Sequence, residues 1–407
     1  MRITGGPGTR IRLALMVSVL MLLLLAGNTS VTTAHVQGAN RVGVAHGRGT
    51  GPIWTLDMKS PSTGWGWGPA LVARTVDGAA RLLDVTPVGV DRSHSVQAET
   101  ALDALHAWIV AGPSTQSGTF TVYRTLNGGL TWTAGTIANQ QAGDITFVDA
   151  RHGWMQASRL IDNHRVNRMT LSRTVDGGVS WSLVYQTRQR ITIQPDVQNG
   201  DCQWSMVQFS TPLHGVAGLS CDKTASARMV RTDDGGRTWH RLTLPALPRP
   251  PGTVLWSGVE RLSLSTSAGS AFVTLCIGDR RSCTYYGAVH RTSDGDKSWF
   301  AGQKVVRPGE SVVFAGPAHV WLPYGCLKRC GSTPQILRTR DAGVHWTSIR
   351  LPTALAPNMH GSRQFQFVSP TVGFVVASNE FAPQTRFFRT TDGGQSFHRF
   401  LPPIIRS

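Results

Sequence analysis

Glutamate is almost missing from this chain: Glu99, Glu260, Glu310 and Glu380 are the only four in 407 residues. A glycosidase needs two carboxylates flanking the sugar bond, so scarcity of acid groups leaves such an enzyme few candidates. The chain also lacks a His-Glu-x-x-His helix, a phosphate-binding glycine loop and a Gly-x-Ser-x-Gly elbow, which excludes the familiar zinc peptidase, nucleotide-hydrolase and serine-hydrolase patterns. Lysine is scarce too, since 35 of the 40 basic residues are arginine. After the N-terminus no run is apolar enough to cross a bilayer.

The N-terminus is different. Arg2, Arg10 and Arg12 precede an apolar run from Leu13 to Ala26, and Thr32 and Ala34 are small residues placed for cleavage after Ala34. This is the layout of a secretory leader over residues 1–34, with an uncleaved N-terminal anchor as the alternative. Residues 35–50 read as a linker and 51–407 as one folded region.

All six cysteines follow the leader and pair locally: Cys202 with Cys221, Cys276 with Cys283, Cys326 with Cys330. Folding the intervening residues into hairpins sets the first two pairs opposite each other. An even count of this kind in an exported chain points to disulfides and an oxidising compartment. Cys326 and Cys330 are also close enough to share zinc, but a second ligand pair of matching spacing is missing.

One segment recurs seven times, beginning at Arg74, Arg124, Arg173, Arg231, Arg291, Arg338 and Arg389, at spacings of 50, 49, 58, 60, 47 and 51 residues. Examples are "RTLNGGLTW", "RTVDGGVSW" and "RTDDGGRTW". Upstream of most copies stands a second segment, such as "FVDARHGW" at Phe147 or "FSTPLHGV" at Phe209, and the fifth copy, near Ala271 and Phe272, is the poorest. Each unit reads as four strands with turns rich in Asp, Pro and Gly, and no helical periodicity intervenes. A fixed period of this length predicts an all-β fold, a seven-bladed β-propeller of four-stranded antiparallel blades.

The turn chemistry explains the recurring residues. An acceptor side chain at Asp77, Asn127, Asp176, Asp234, Asp294, Asp341 or Asp392 can take N–H bonds from its own turn, glycine supplies positive φ, and the following Trp packs between blades. These positions are read as structural. His152, His214 and His319 share one place in the repeat and are likewise read as turn residues.

The pattern Ser/Thr-x-Asp-x-Gly-x-Thr-Trp resembles the Asp-box, or bacterial neuraminidase repeat, found in sialidases, sortilin-type receptors, some endoglucanases and the photosystem II stability and assembly factors. "TDDGGRTW" at Thr232 and "TVDGGVSW" at Thr174 fit it fully, whereas the first copy has Ala79 for its second Gly and Leu82 for its Trp. Pairing of "HGW" turns with these boxes looks most like the assembly-factor propellers. The resemblance implies the fold; function transfers poorly across such scaffolds. An Arg-Ile-Pro segment typical of sialidases is missing.

In such a fold the loops joining strands two and three open opposite the Asp-boxes. They hold Arg159, Arg165 and Arg168 in the third blade, Lys223 and Arg228 in the fourth, Arg280 and Arg281 in the fifth, and Lys328 and Arg329 in the sixth. With a net charge of +17, this rim suits an acidic protein segment or an anionic glycan, and an association with a membrane surface is open. Nucleic acid is not expected outside the cytoplasm. The sequence reading is thus an exported, secreted or envelope-associated, monomeric binding or assembly scaffold with no cofactor, metal or catalytic residue. A secreted glycoside hydrolase, sialidase-like or endoglucanase-like, is the alternative.

Overall fold

Strands rich in Val, Phe, Trp and Thr, separated by turns that only Gly and Asp readily make, fold each repeat into an antiparallel meander. In the computed structural model the strands are β1 (Thr55–Met58), β2 (Gly64–Gly68), β3 (Leu71–Thr75) and β4 (Leu82–Asp84) in the first repeat. The second has β5 (Ser95–Ala101), β6 (Ala107–Gly112), β7 (Thr119–Thr125) and β8 (Thr133–Ala138), and the third β9 (Ile145–Phe147), β10 (Gly153–Ile161), β11 (Val166–Thr174) and β12 (Ser182–Gln186). The fourth has β13 (Cys202–Phe209), β14 (Gly215–Asp222), β15 (Arg228–Thr232) and β16 (His240–Leu242). The fifth has β17 (Val254–Leu264), β18 (Gly269–Asp279), β19 (Ser282–Thr292), β20 (Phe300–Ala301) and the short β21 (Val305–Val306). The sixth has β22 (Val313–Phe314), β23 (Val320–Tyr324), β24 (Gln335–Thr339) and β25 (Thr347–Arg350); the last has β26 (Gly361–Phe367), β27 (Gly373–Asn379), β28 (Ala382–Thr390) and β29 (His398–Phe400), followed by β30 (Ile404–Ile405).

The structure describes residues 47–406 apart from 114–118, 139–142, 162–165, 187–201, 223–226, 248–250, 280–281, 304, 307–310, 325–334, 353–354, 356–360 and 380–381. All belong to the unit His35–Ser407. The leader expected at 1–34, and most of the linker, lie outside the described residues. Among those described there is no helical element, and none long and apolar enough to cross a membrane.

Four of the sheets hold four strands each: β5–β8, β9–β12, β22–β25 and β26–β29. In the first sheet β30 adds to β4 as a parallel fifth strand, pairing Ile404 with Leu82. The meanders β13–β16 and β17–β20 run together into one nine-stranded sheet, because β14 pairs with β17 from Ser220↔Gly258 to Asp222↔Trp256. The second strand of a meander is buried on both faces, as in β6, while the fourth is largely exposed, as in β25 and β29. Sheets therefore pack face to face along their inner strands. The chain also closes on itself: Gln364 and Gln366 of β26 accept the N–H groups of Leu56 and Met58 at 2.8 and 2.7 Å, and Phe374, Val376 and Phe387 pack with Ile53, Leu56 and Leu71. Successive meanders whose last member returns to the first form a β-propeller.

A recurring contact joins one repeat to the next. The tryptophan at the second position of the second strand donates its Nε1 to the Asp-Gly-Gly turn of the following repeat, Trp108 to Gly177 O at 2.9 Å and Trp154 to Gly235 O at 3.0 Å. Trp321 does the same to Gly393 O at 3.0 Å. The rings stack on Phe147, Phe209 and Phe367 of the next repeat, at 3.8, 3.5 and 3.8 Å between centroids. The arginine that opens the turn segment crosses in the same direction in these repeats: Arg124 bonds Asp176 O, and Arg173 and Arg338 bond Pro212 O and Pro370 O. A Cβ on Gly393 would stand 2.4 Å from Arg338 Nη1, so the glycine there serves both its φ of +76° and the arriving guanidinium.

Candidate functional site

The seven turns between third and fourth strands are built alike. In the third repeat Thr174 Oγ1 donates to Asp176 Oδ1 at 2.8 Å and accepts the N–H of Gly178 at 2.8 Å, while Asp176 Oδ1 accepts the N–H of Ser180 at 2.9 Å. The same Thr-to-acceptor bond occurs at Asp77, Asn127, Asp234, Asp294, Asp341 and Asp392. Donors from their own turns hold several of these carboxyls low. At Asp234 burial pushes upward, but the hydroxyl and N–H of Thr238 outweigh it and the pKa falls to about 2; at Asp294 the Ser298 hydroxyl and N–H give about 2. These groups are ionised and spent on their turns, which makes them poor acids or bases.

Each of these turns is tied to the first-to-second-strand turn of its own repeat, as in Gly128 N to Leu105 O and Gly235 N to Leu213 O, both 2.8 Å. The second kind of turn holds the histidines. Asp149 accepts the N–H groups of Arg151 and His152, and its carboxylate meets His152 Nδ1 at 2.8 Å; Asp103 and His106 repeat the arrangement. Both kinds of turn lie at one end of the sheets. Together they carry ten aspartates against six cations (Lys59, Arg81, Arg151, Arg237, Lys297, Arg340), a formal charge of −4 in a chain of +17.

At the opposite end lie the hairpins between second and third strands. Arg159 and Arg168 fall within β10 and β11 as a cross-strand pair, and not in a loop between them, because that hairpin is longer than the sequence spacing suggests. Arg228 opens β15, its Nη1 3.8 Å from Cys202 Sγ. Arg165, Lys223, Arg280, Arg281, Lys328 and Arg329 lie outside the described residues, as do Cys326 and Cys330.

Cys202 and Cys221 are cross-strand partners joined by a disulfide. Cys276 and Cys283 are bonded too, but diagonally, since β18 and β19 pair Cys276 with Tyr285 and Gly278 with Cys283. The pairing of β18 with β19 is shifted by two residues from the one that a fold about Asp279 and Arg280 gives. Sequence reasoning missed Trp54, which precedes β1 at this same end and is 55% exposed, and the edge-to-face pair Trp256–Tyr285. Trp54 stands just ahead of the first repeat, where the repeat pattern gives no register.

Two further groups of titratable residues emerge only in three dimensions. On β5, burial and then the charges of Asp57 on β1 and of Asp144, just ahead of β9, raise Glu99 to about 7. Lys59 pairs with Asp57 at 2.9 Å. The other group lies between the fourth and fifth repeats, where Asp296 replaces the second glycine of the turn, at φ +67° and with no exposed surface. Its carboxylate is 3.3 Å from His214 Nε2 and 3.5 Å from Arg231 Nη1, yet neither oxygen has a hydrogen bond. His214 Nδ1 and Arg231 also meet Asp233, at 2.9 and 3.2 Å. The usual contact is absent here: Val216 and Ser270 stand where other repeats have the stacking tryptophan. Among the described residues no cluster suits a metal ion.

No protein-family model matches the chain. Over 159 residues it is 27% identical to the photosystem II assembly lipoprotein Ycf48 of Synechococcus sp. (strain CC9902), a match covering 39% of this chain and 35% of that protein, or about a third of its length. Among solved structures, Ycf48 bound to D1 peptide superposes with a TM-score of 0.48 at 14% identity, over 90% of this chain and 99% of that one. One of two structurally analysed prolyl endopeptidases gives 0.53 at 10% identity, over 86% of this chain and 49% of that one, which is a likeness of fold. The α-L-arabinofuranosidase Arb93A of Fusarium graminearum gives 0.43 at 10% identity, covering 74% and 92%.

Proposed function

We propose that the chain is a seven-bladed Asp-box propeller that works outside the cytoplasm as a non-catalytic binding or assembly scaffold. The observation that carries this reading is the partition of charge: turns at one end sum to −4 in a chain of +17, so the rest of the chain carries +21. That favours an acidic protein segment or an anionic glycan received at the hairpin end, to which Arg159, Arg168 and Arg228 belong. The commitment of the turn carboxylates to their own backbones supports a role without catalysis, the two disulfides support an oxidising compartment, and the partial similarity to an assembly lipoprotein supports a protein partner. Reversing the charge of Arg280, Arg281, Lys328 and Arg329 together should abolish capture of polyglutamate and heparin beads; unchanged capture would refute the basic surface.

A secreted glycoside hydrolase is the second reading, and one observation favours it. Glu99, raised to about 7 by burial and then by the charges of Asp57 and Asp144, is a carboxyl of the kind that acid-assisted glycoside cleavage needs. Turnover of sialosides or β-glucans that vanishes in Glu99→Gln would establish the enzyme and overturn the scaffold.

A further inference from the structure

Six of the seven turns between third and fourth strands carry aspartate at the acceptor position, and the second carries Asn127. The difference is one of reactivity. The backbone nitrogen of the next residue can close a ring onto a side-chain carbonyl, and a glycine there hinders the attack least because it has no Cβ. A carboxylate resists, since it must first be protonated before it can lose water, and Asp234, Asp294 and Asp392 titrate at about 2. Asn127 has no such protection: it is a neutral amide followed by Gly128. Its Oδ1 accepts the Thr125 hydroxyl at 3.0 Å and the Thr131 N–H at 2.9 Å, which draws electron density away from Cγ. Arg74 of the preceding repeat lies against Gly128, so near that a Cβ on the glycine would stand 2.5 Å from its Nη1. A positive charge there favours loss of the Gly128 amide proton. One bond holds the nucleophile back, the N–H of Gly128 donating to Leu105 O at 2.8 Å.

We propose that Asn127 is a site of spontaneous covalent modification, losing its amide through a cyclic imide with Gly128 when the bond from Gly128 to Leu105 opens. Gly128 N gives up its proton and bonds Asn127 Cγ, and Nδ2 leaves with that proton as ammonia. Water then opens the imide. Attack at Cγ leaves aspartate on an unaltered main chain, whereas attack at the backbone carbonyl of residue 127 leaves isoaspartate, with the main chain rerouted through the side chain. The turn accepts the first product, because the other six already hold aspartate. Thr131 now accepts from Nδ2 at 2.8 Å, and its hydroxyl would instead donate to the new carboxylate, as Thr238 does to Asp234 Oδ2 at 2.6 Å. The change adds one negative charge to an end of the molecule whose turns already sum to −4.

Peptide mapping of the full-length protein, held at mildly alkaline pH both folded and in urea, tests this. The tryptic peptide Thr125–Arg151 should gain about 1 Da as amide becomes acid, with fragment ions placing the gain at Asn127. The gain should run at least about tenfold slower in the folded protein than in urea, the factor being set by the free energy of opening the turn. Thr131→Val, at an exposed position, removes the hydroxyl that anchors Nδ2 and should raise the folded rate. Asn127→Asp should show no gain and melt with the wild type. A folded protein that never gains the mass, equal rates folded and in urea, a folded rate that Thr131→Val leaves unchanged, an Asn127→Asp variant that melts lower, or a gain confined to Asn139 of the same peptide would each overturn the proposal.

Discussion

Asp296→Gly should stabilise the protein. Asp296 holds a left-handed backbone conformation that costs a side-chain-bearing residue about 1–2 kcal/mol, and glycine removes that cost. Its carboxylate is wholly buried, and the two cations near it lie at 3.3 and 3.5 Å without hydrogen-bond geometry. Removing one partner of a buried ion pair is costly where it strands a buried charge, but His214 is partly exposed and keeps Asp233 at 2.9 Å. Arg231 likewise loses one partner but keeps Asp233 at 3.2 Å and remains partly open to water. The sum is a gain of about 1–2 kcal/mol, or roughly 1–3 °C in Tm for a folded unit of this size.

The pH dependence gives the sign independently. Burial raises the Asp296 pKa above 3.8 in spite of His214 and Arg231. A carboxyl raised in the folded state destabilises the fold above that raised value, and the penalty fades as pH falls toward the unfolded value. Calorimetry should therefore show the advantage of Asp296→Gly in full at neutral pH and diminished at pH values below about 4. A variant that melts lower than the wild type at neutral pH, or whose advantage grows in acid, would refute the reasoning and show that the ion pairs dominate.

The other contacts between repeats make further predictions. Trp154→Ala removes the stack on Phe209 and the bond to Gly235 O, and should cost about 3–5 kcal/mol in denaturant unfolding, with the cavity term included. The turn aspartates should dominate the acid limb. Asp234 and Asp392 are held at about 2 because the hydroxyl and N–H donors of Thr238 and Ser396 outweigh burial. Stability from such groups is present above the unfolded value of 3.8 and is lost as pH falls through about 2, so Tm should drop steeply over that window and less so in Asp234→Asn.

Most of the fold was legible because its determinants are local. A turn that needs positive φ at Gly177 and Gly178 and an acceptor at Asp176 writes itself into seven adjacent residues, so repetition announces the meanders. The junctions were not legible, because each depends on residues about 50–80 positions apart, such as Trp154 and Gly235. The joining of the fourth and fifth meanders through β14 and β17 has no sequence signal beyond a weak fifth copy. Nor had the approach of Glu99 to Asp57 and Asp144, which belong to three different repeats.

The irregular turns nevertheless obey one rule. Where the first glycine of a turn is kept, the arginine of the preceding repeat can reach it, as Arg74 reaches Gly128 and Arg389 reaches Gly78. In the sixth repeat that glycine is Ala342, whose Cβ occupies the space a guanidinium would need, and Arg291 of the preceding repeat is correspondingly exposed. In the fifth, Gly295 is kept but Asp296 draws Arg231 aside. The two junctions that flank the fifth repeat have thus each lost the arginine contact by a single substitution in the following turn. Both have lost the tryptophan as well, so the same pair of junctions carries the weakest version of the contact. The direct pairing of β14 with β17 then makes good part of that loss with backbone hydrogen bonds, at the one place among the described residues where two neighbouring meanders merge.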